Sequence, residues 1–228
     1  MSDGVFVTGT GTEVGKTAVA AALARTATAD GRRVAVFKPA VSGLGGEGEP
    51  DHALLRRAAG SRQSDDEIAP YRYRPPVSPH LGAALAGGAI EPARLRAAAR
   101  AAAQGSDRLV VEGVGGFLVP LTLGYLIRDF ARDLGLPVVI ASAPGLGTIN
   151  HTLLTVESVR AIGLELTAVV LTPWPSQPTE VERSNREAIE RLGGVGVATL
   201  PRLELSEPST WPRLELGAED RSRADARR

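Results

Sequence analysis

Six short runs of apolar, largely β-branched residues recur along the chain, at positions 5–8, 33–37, 109–111, 137–141, 168–171 and 195–200. Most carry apolar residues at consecutive positions and not at alternating ones, the pattern of strands buried on both faces in a parallel sheet. Helical stretches separate them, at 16–29, 51–59, 92–103, 126–134, 149–162 and 179–191. Gly31, Gly105, Gly135, Gly163 and Gly193 follow five of these stretches and suit the left-handed position that ends a helix. This alternation predicts a single α/β domain with an open, mostly parallel central sheet flanked by helices. In such a sheet ligands bind beyond the C-terminal ends of the strands. Residues 60–90 are the least regular part and read as an excursion on one side of the same domain. From 206 to 228 the chain turns polar, so the domain is expected to span 1–205 and the rest to be a tail, partly ordered at most, that could hold a final helix.

The first apolar run leads into Gly9-Thr10-Gly11-Thr12-Glu13-Val14-Gly15-Lys16-Thr17 and then directly into an alanine-rich helix. This is a phosphate-loop (P-loop) pattern, G-x-x-x-x-G-K-[ST], with its leading glycine one residue further out. Glycines allow tight turns and close backbone approach, and successive N–H groups can point at phosphate oxygens. The helix N-terminus favours the anion. Lys16 can reach the outer phosphates and the Thr17 hydroxyl can bind Mg²⁺.

Composition sharpens the second basic site. The chain has 26 Lys+Arg, and only Lys16 and Lys38 among them are lysine. A compact ammonium and a broad guanidinium are not interchangeable. A lysine kept in an arginine-using chain therefore marks a site where arginine fits badly. Lys38 follows the second strand, in Phe37-Lys38-Pro39-Ala40-Val41-Ser42-Gly43; if strands one and two are neighbours, it lies near the phosphate loop.

Several classes are excluded. Cysteine is absent, which removes disulfides, thiolate zinc sites and cysteine nucleophiles. Net charge is +0, so no global field draws the chain to nucleic acid or to an anionic membrane. MSDGVFVTG does not read as a signal peptide, and no apolar run approaches the roughly 20 residues that span a bilayer. The expectation is a cytoplasmic protein without nucleic-acid or membrane partners. No two of His52, His80 and His151 have zinc-ligand spacing. His52 reads as a solvated neighbour of Asp51.

Carboxylates supply metal ligands. Glu112 ends the third strand and opens Glu112-Gly113-Val114-Gly115-Gly116, where an acid beside a phosphate loop commonly holds Mg²⁺. Asp51 starts a helix. Spacing alone leaves it between capping and metal binding, with capping the commoner role.

Taken in order, GTGTEVGKT, FKPAVSG, the Asp51 helix start, PPVSPH, VEGVGGFLVPL and GLGTINHTLLT resemble the motif series of the dethiobiotin synthetase family. They are spread from residue 4 to about residue 157. The resemblance implies a ligase that closes a ureido ring on 7,8-diaminononanoate with CO₂, ATP and Mg²⁺, giving dethiobiotin, ADP and phosphate in biotin biosynthesis. It implies a nucleotide site over Glu13, Val14, Gly15, Lys16, Thr17 and Ala18, and over Glu112, Gly113, Val114 and Gly115. It implies a metal set of Thr17, Asp51 and Glu112, with Asp51 also at the nucleotide, and catalytic roles for Lys16, Lys38, Thr12 and Glu13. Thr12, Lys38 and Ser42 match residues around the diamine and its carbamate. Gly147, Thr148, Ile149 and Asn150 match the segment that meets the substrate's carboxylate tail across a homodimer interface.

One position departs from the family pattern. Where members carry an asparagine that reads adenine, this chain has Thr172, followed by Pro173. A hydroxyl cannot reproduce a bidentate amide contact, so other nucleoside triphosphates are expected to be accepted. Pro201, Arg202 and Leu203 are the expected C-terminal base-binding stretch. The alternative is a partitioning-type regulatory ATPase of the same loop class. That class carries a signature lysine five residues before the loop lysine, where this chain has Gly11.

Overall fold

The computed structural model describes residues 3–46 and 48–216. Its centre is a six-stranded sheet formed by β1 (Asp3–Gly9), β2 (Val34–Phe37), β3 (Arg108–Glu112), β6 (Val138–Ser142), β7 (Leu166–Trp174) and β8 (Val197–Pro201). Their spatial order is β2-β3-β1-β6-β7-β8, and every pairing is parallel. A two-stranded antiparallel ribbon, β4 (Pro120–Thr122) with β5 (Tyr125–Leu126), stands apart. The helices are α1 (Lys16–Ala29), α2 (Asp51–Ala59), α3 (Asp65–Ile68), α4 (Pro79–Leu85), α5 (Pro92–Ala103), α6 (Ile127–Leu134), α7 (Thr148–Arg160) and α8 (Glu180–Gly193).

Consecutive apolar residues in the strands feed two cores. Along β1, Phe6 packs on one face with Leu95, Phe130, Val159 and Ile189 from α5, α6, α7 and α8. Val5 and Val7 pack on the other face with α1 and α2. A one-residue slip would exchange these sets, so the double burial fixes the register. Alanines dominate α1 and are buried on most of its surface, which lets it lie close over the strands and against α2.

Strands one and two, whose adjacency was the condition for placing Lys38 near the phosphate loop, are not neighbours: β3 lies between them. The chain leaves β1, crosses to outer β2, returns to β3 beside β1, and then moves to the other side as β6. The direction of winding reverses at β1, and the phosphate loop sits at that switch point.

Residues 60–90 hold two short helices. α3 is closed by a reciprocal capping box between Ser64 and Glu67, and α4 starts at Pro79 behind Ser78. Gly31, Gly105, Gly135 and Gly163 have positive φ, as expected, but at α8 the left-handed residue is Gly194 with φ 52, and Gly193 is the last helical residue. α2 also ends on a left-handed glycine, Gly60. Beyond β8 the chain does not leave the body. The segment to 216 carries a short 3₁₀ turn, Pro208–Thr210, and buries Trp211 and Leu214 against the α1 side of the core. A final helix within 217–228 lies outside the described residues. Among the described residues no helix is long and apolar enough to cross a membrane.

Candidate active site

The loop between β1 and α1 is held open by backbone geometry. Gly15 is left-handed at φ 84 and contributes no side chain to cap α1, leaving first-turn N–H groups free to face an anion. A Cβ on Gly15 would run into the Thr172 methyl, and one on Gly9 would meet Lys16 Cγ at 2.8 Å. Glu13 has φ 60, the single non-glycine residue with positive φ among the described residues. Backbone in this region is costly and clusters at ligand sites. The Lys16 ammonium folds back over the loop and donates to the Gly11 carbonyl at 2.6 Å.

Three elements bring charged groups beside it. β3 ends on Glu112, which is fully buried. Lys38 follows β2 and is 3% exposed. Because β3 lies between β1 and β2, Lys38 reaches across the end of one strand to donate to Glu112 Oε1 at 2.5 Å. It also pairs with Asp51 Oδ2 at 2.9 Å. Asp51 is the first residue of α2, with Pro50 in the capping position, so its carboxylate is released from capping and turned to Lys38. The Thr17 hydroxyl donates to Glu112 Oε1 at 2.8 Å. Glu112 Oε2 is buried without a partner.

The electrostatics follow from burial and these pairs. Burial alone would lower Lys38, but Glu112 and Asp51 outweigh it and hold the ammonium above its ordinary range. Asp51 sits below the usual carboxylate range because Lys38, helped by Thr17 and Lys16, overcomes the effect of burial. Complete burial pushes Glu112 up, with Lys38 pulling the other way and Asp51 reinforcing the rise. Lys16 is brought down to about 8, chiefly by desolvation.

These groups line one cavity of about 420 Å³ together with Thr12, Glu13, Gly15, Ala18, Ser42, Val114 and Gly115. Val14 and Gly113 are adjacent in sequence but do not line it. Ala40, Glu49, Leu54 and Leu205 line it and were not singled out from the sequence. Glu49 precedes Asp51 by two residues, a signal available in principle; nothing local marks Leu205. Pro201, Arg202 and Leu203 do not line this cavity. Thr172 is buried at the end of β7 beneath Gly15. Pro173 follows it, exposed.

Gly147, Thr148, Ile149 and Asn150 also lie apart from the cavity, at the start of α7. Gly147 is its left-handed N-cap at φ 87. The Thr148 side chain turns inward to Ser142, whose hydroxyl meets Thr148 at 2.8 Å, Thr152 at 2.9 Å and Thr10 at 3.3 Å. One donor and two acceptor sites make three partners the capacity of a hydroxyl. Asn150 is exposed. A second cavity, of about 430 Å³, is bounded by Thr10, the 116–120 segment and α7, including His151 and Leu154. On it Leu118 and Leu154 are more than half exposed, and Leu146, just before α7, is 98% exposed.

His52 is not solvated as expected. It is 4% exposed, with Nε2 3.7 Å from Asp65 Oδ2, and burial lowers its pKa. Among the described residues no group of three or more His, Asp or Glu gathers as a metal cluster. A site built on two carboxylates and a threonine hydroxyl is the kind that leaves further positions to water and phosphate oxygens.

A family model described as an AAA domain matches residues 3–210. An ATP-dependent dethiobiotin synthetase of Anaeromyxobacter dehalogenans is 47% identical over 169 residues, which cover 74% of this chain and 75% of that one. An ATP-dependent dethiobiotin synthetase of Bacillus subtilis is 35% identical over 195 residues, covering 85% and 84%. Among solved structures, the septum site-determining protein MinD of Pyrococcus horikoshii, complexed with Mg-ADP, superposes with a TM-score of 0.54 at 15% identity, over 88% of this chain and 82% of that one. That likeness is one of fold alone, whereas the two sequence relatives are 35% and 47% identical over most of the chain. The chain belongs to the dethiobiotin synthetase family.

Proposed function

We propose that this chain is an ATP-dependent dethiobiotin synthetase acting on 7,8-diaminononanoate and CO₂. The observation that carries the reading is Lys38. It is a second buried ammonium, anchored by two acids within the same cavity as Lys16. Nucleotide binding alone needs only the loop lysine. A second compact cation suits an anionic co-substrate held against the outer phosphate.

One amine of the diamine captures CO₂ and loses a proton, giving a carbamate. A carbamate oxygen attacks the γ-phosphorus and ADP leaves. The second amine attacks the activated carbonyl, phosphate leaves, and the ureido ring closes. Phosphoryl transfer asks the protein mainly for positioning and charge neutralisation. Lys16 and the loop N–H groups hold the nucleotide phosphates, and Lys38 holds the carbamate beside them. Ser42, Thr12 and Glu13 line the same cavity and would receive the diamine. The unpartnered buried Glu112 Oε2 fits a cation ligand. Thr17, Asp51 and Glu112 would hold Mg²⁺, which when bound supplies charge neutralisation at the phosphates.

Thr172 supports acceptance of nucleotides other than ATP. Its methyl packs against Gly15, and it offers no amide to an adenine edge. Leu118 and Leu154, exposed on the second cavity, and Leu146, exposed just before α7, support a homodimer that seats the α7 N-terminus at the neighbouring site. The test of function is the reaction itself: label from bicarbonate enters dethiobiotin with stoichiometric ADP. ATP hydrolysis indifferent to the diamine would instead favour a regulatory ATPase.

A further inference from the structure

The C-terminal segment is strapped to the body at two places. Along α1, Trp211 and Leu214 are buried, the Leu214 N–H donates to Thr26 Oγ1 at 3.0 Å, and Arg213 pairs with Asp30 at 2.6 Å. Closer to the active site, the turn at Glu204–Glu207 is held from both sides. The Trp211 indole N–H donates to the Glu204 carbonyl at 2.7 Å. Arg57, on the last turn of α2, donates to the Leu205 carbonyl at 2.7 Å and the Ser206 carbonyl at 3.3 Å. The same guanidinium grips both oxygens of Glu49, at 3.2 and 2.5 Å. Glu49 and Leu205 both line the active-site cavity, and Arg57 does not.

A planar fork of donors is suited to tying several oxygens together at fixed angles, which a single ammonium is not. Arg57 thus joins three segments that are remote in sequence: the loop before α2, α2 itself, and the chain beyond β8. Lys16, Lys38 and Glu112 line the same cavity where the phosphates would sit, and Leu205 and Glu49 add a wall brought in from the 204–206 turn and the loop before α2. We propose that Arg57 is a positioning residue for the nucleoside: it fixes the Leu205 wall and Glu49 against which the nucleoside half of the triphosphate lies, without touching the phosphates. The proposal rests on the reading of this cavity as a nucleotide site.

The test compares Arg57→Ala and Arg57→Lys with the unmodified chain, measuring equilibrium dissociation constants for ATP and for inorganic tripolyphosphate, which lacks the nucleoside. The expected result is ATP binding weakened about tenfold or more in R57A, tripolyphosphate binding within about twofold of the unmodified chain, and partial recovery of ATP binding in R57K. In turnover, KM for ATP should rise with little change in kcat. Unchanged ATP affinity in R57A would overturn the proposal. Equal weakening of ATP and tripolyphosphate would also overturn it, because it would mean that α2 and Asp51 had moved. Full recovery in R57K would reduce the role to charge and overturn the clamp. Failure of the nucleotide reading itself looks different: the unmodified chain would then bind neither ligand. Should R57A fail to fold, Trp211→Phe removes the Glu204 bond from the other side of the turn and must give the same ATP-selective loss, smaller in size.

Discussion

Replacing Lys38 with arginine isolates shape from charge at the residue on which the proposed chemistry turns. The Lys38 ammonium is 3% exposed and touches Glu112 at 2.5 Å and Asp51 at 2.9 Å. An ammonium has three N–H donors in a compact tetrahedral head. Two are taken by these carboxylates, which leaves one to aim at a substrate oxygen. A guanidinium keeps the charge but spreads its donors over a wide plane on a longer stem. Seating it in this closed position overpacks the end of β3, at about 1–3 kcal/mol of stability, and no donor remains aimed where the third ammonium proton was. Turnover should fall by about 10²-fold or more, or about 2.7 kcal/mol of transition-state stabilisation. The assay is the initial rate at saturating diamine, bicarbonate and ATP, with a melting curve to confirm folding. A folded K38R enzyme with kcat within about threefold of the unmodified chain would refute the argument.

Four further outcomes follow from the same geometry. Burial holds Lys16 at about 8, below its ordinary 10.5. Affinity for tripolyphosphate should therefore weaken by up to about tenfold per pH unit above pH 8 in the unmodified chain, and pH titration of the dissociation constant checks it; a flat profile to pH 9.5 would contradict the assigned environment. Stability should move the opposite way, rising with pH between about 8 and 10.5, because there the unfolded chain binds more protons at this site than the folded one. Ser142→Ala removes the hub of the buried Thr10–Thr148–Thr152 hydroxyl cluster, and should cost about 1–3 kcal/mol in denaturant unfolding; a loss below about 0.5 kcal/mol would mean that the three threonines repair the cluster among themselves. Under the proposed role of Thr172, kcat/KM for CTP and GTP should lie within about tenfold of that for ATP, and a preference for ATP of a hundredfold or more would show that another group reads the base.

What the sequence made legible was whatever local physics decides. Wholly apolar runs announced strands covered on both faces, and the helices 16–29, 51–59 and 92–103 have the bounds that their patterns suggested. The phosphate loop declared itself because its glycines, lysine and threonine act within one turn of chain. Lys38 was legible through composition, being a lysine kept among arginines. What it contacts was not. Strand order is a tertiary choice, and the insertion of β3 between β1 and β2 is what makes Glu112 the residue Lys38 meets. The α3 capping box Ser64–Glu67 was readable, but a single helical turn gives no period to detect. His52 was misjudged because burial depends on α3 folding back over α2, not on its neighbour Asp51. Leu205 could not be found from pattern, since tertiary contacts of Arg57 and Trp211 hold its turn, and for Glu49 the one signal was its place two residues before Asp51. The polar composition beyond 205 hid two anchors, Trp211 and Leu214, whose burial against α1 needs no repeating signal.

In the proposed reaction two buried ammonium groups in one cavity serve a nucleotide and a carbamate together. The most direct measurement is the reaction with 7,8-diaminononanoate, labelled bicarbonate, Mg²⁺ and ATP, following label and ADP in parallel. The expected result is label in dethiobiotin, one ADP released per ring closed, and ADP release that depends on the diamine. ADP release that proceeds at the same rate without the diamine, with no label in product, would contradict it.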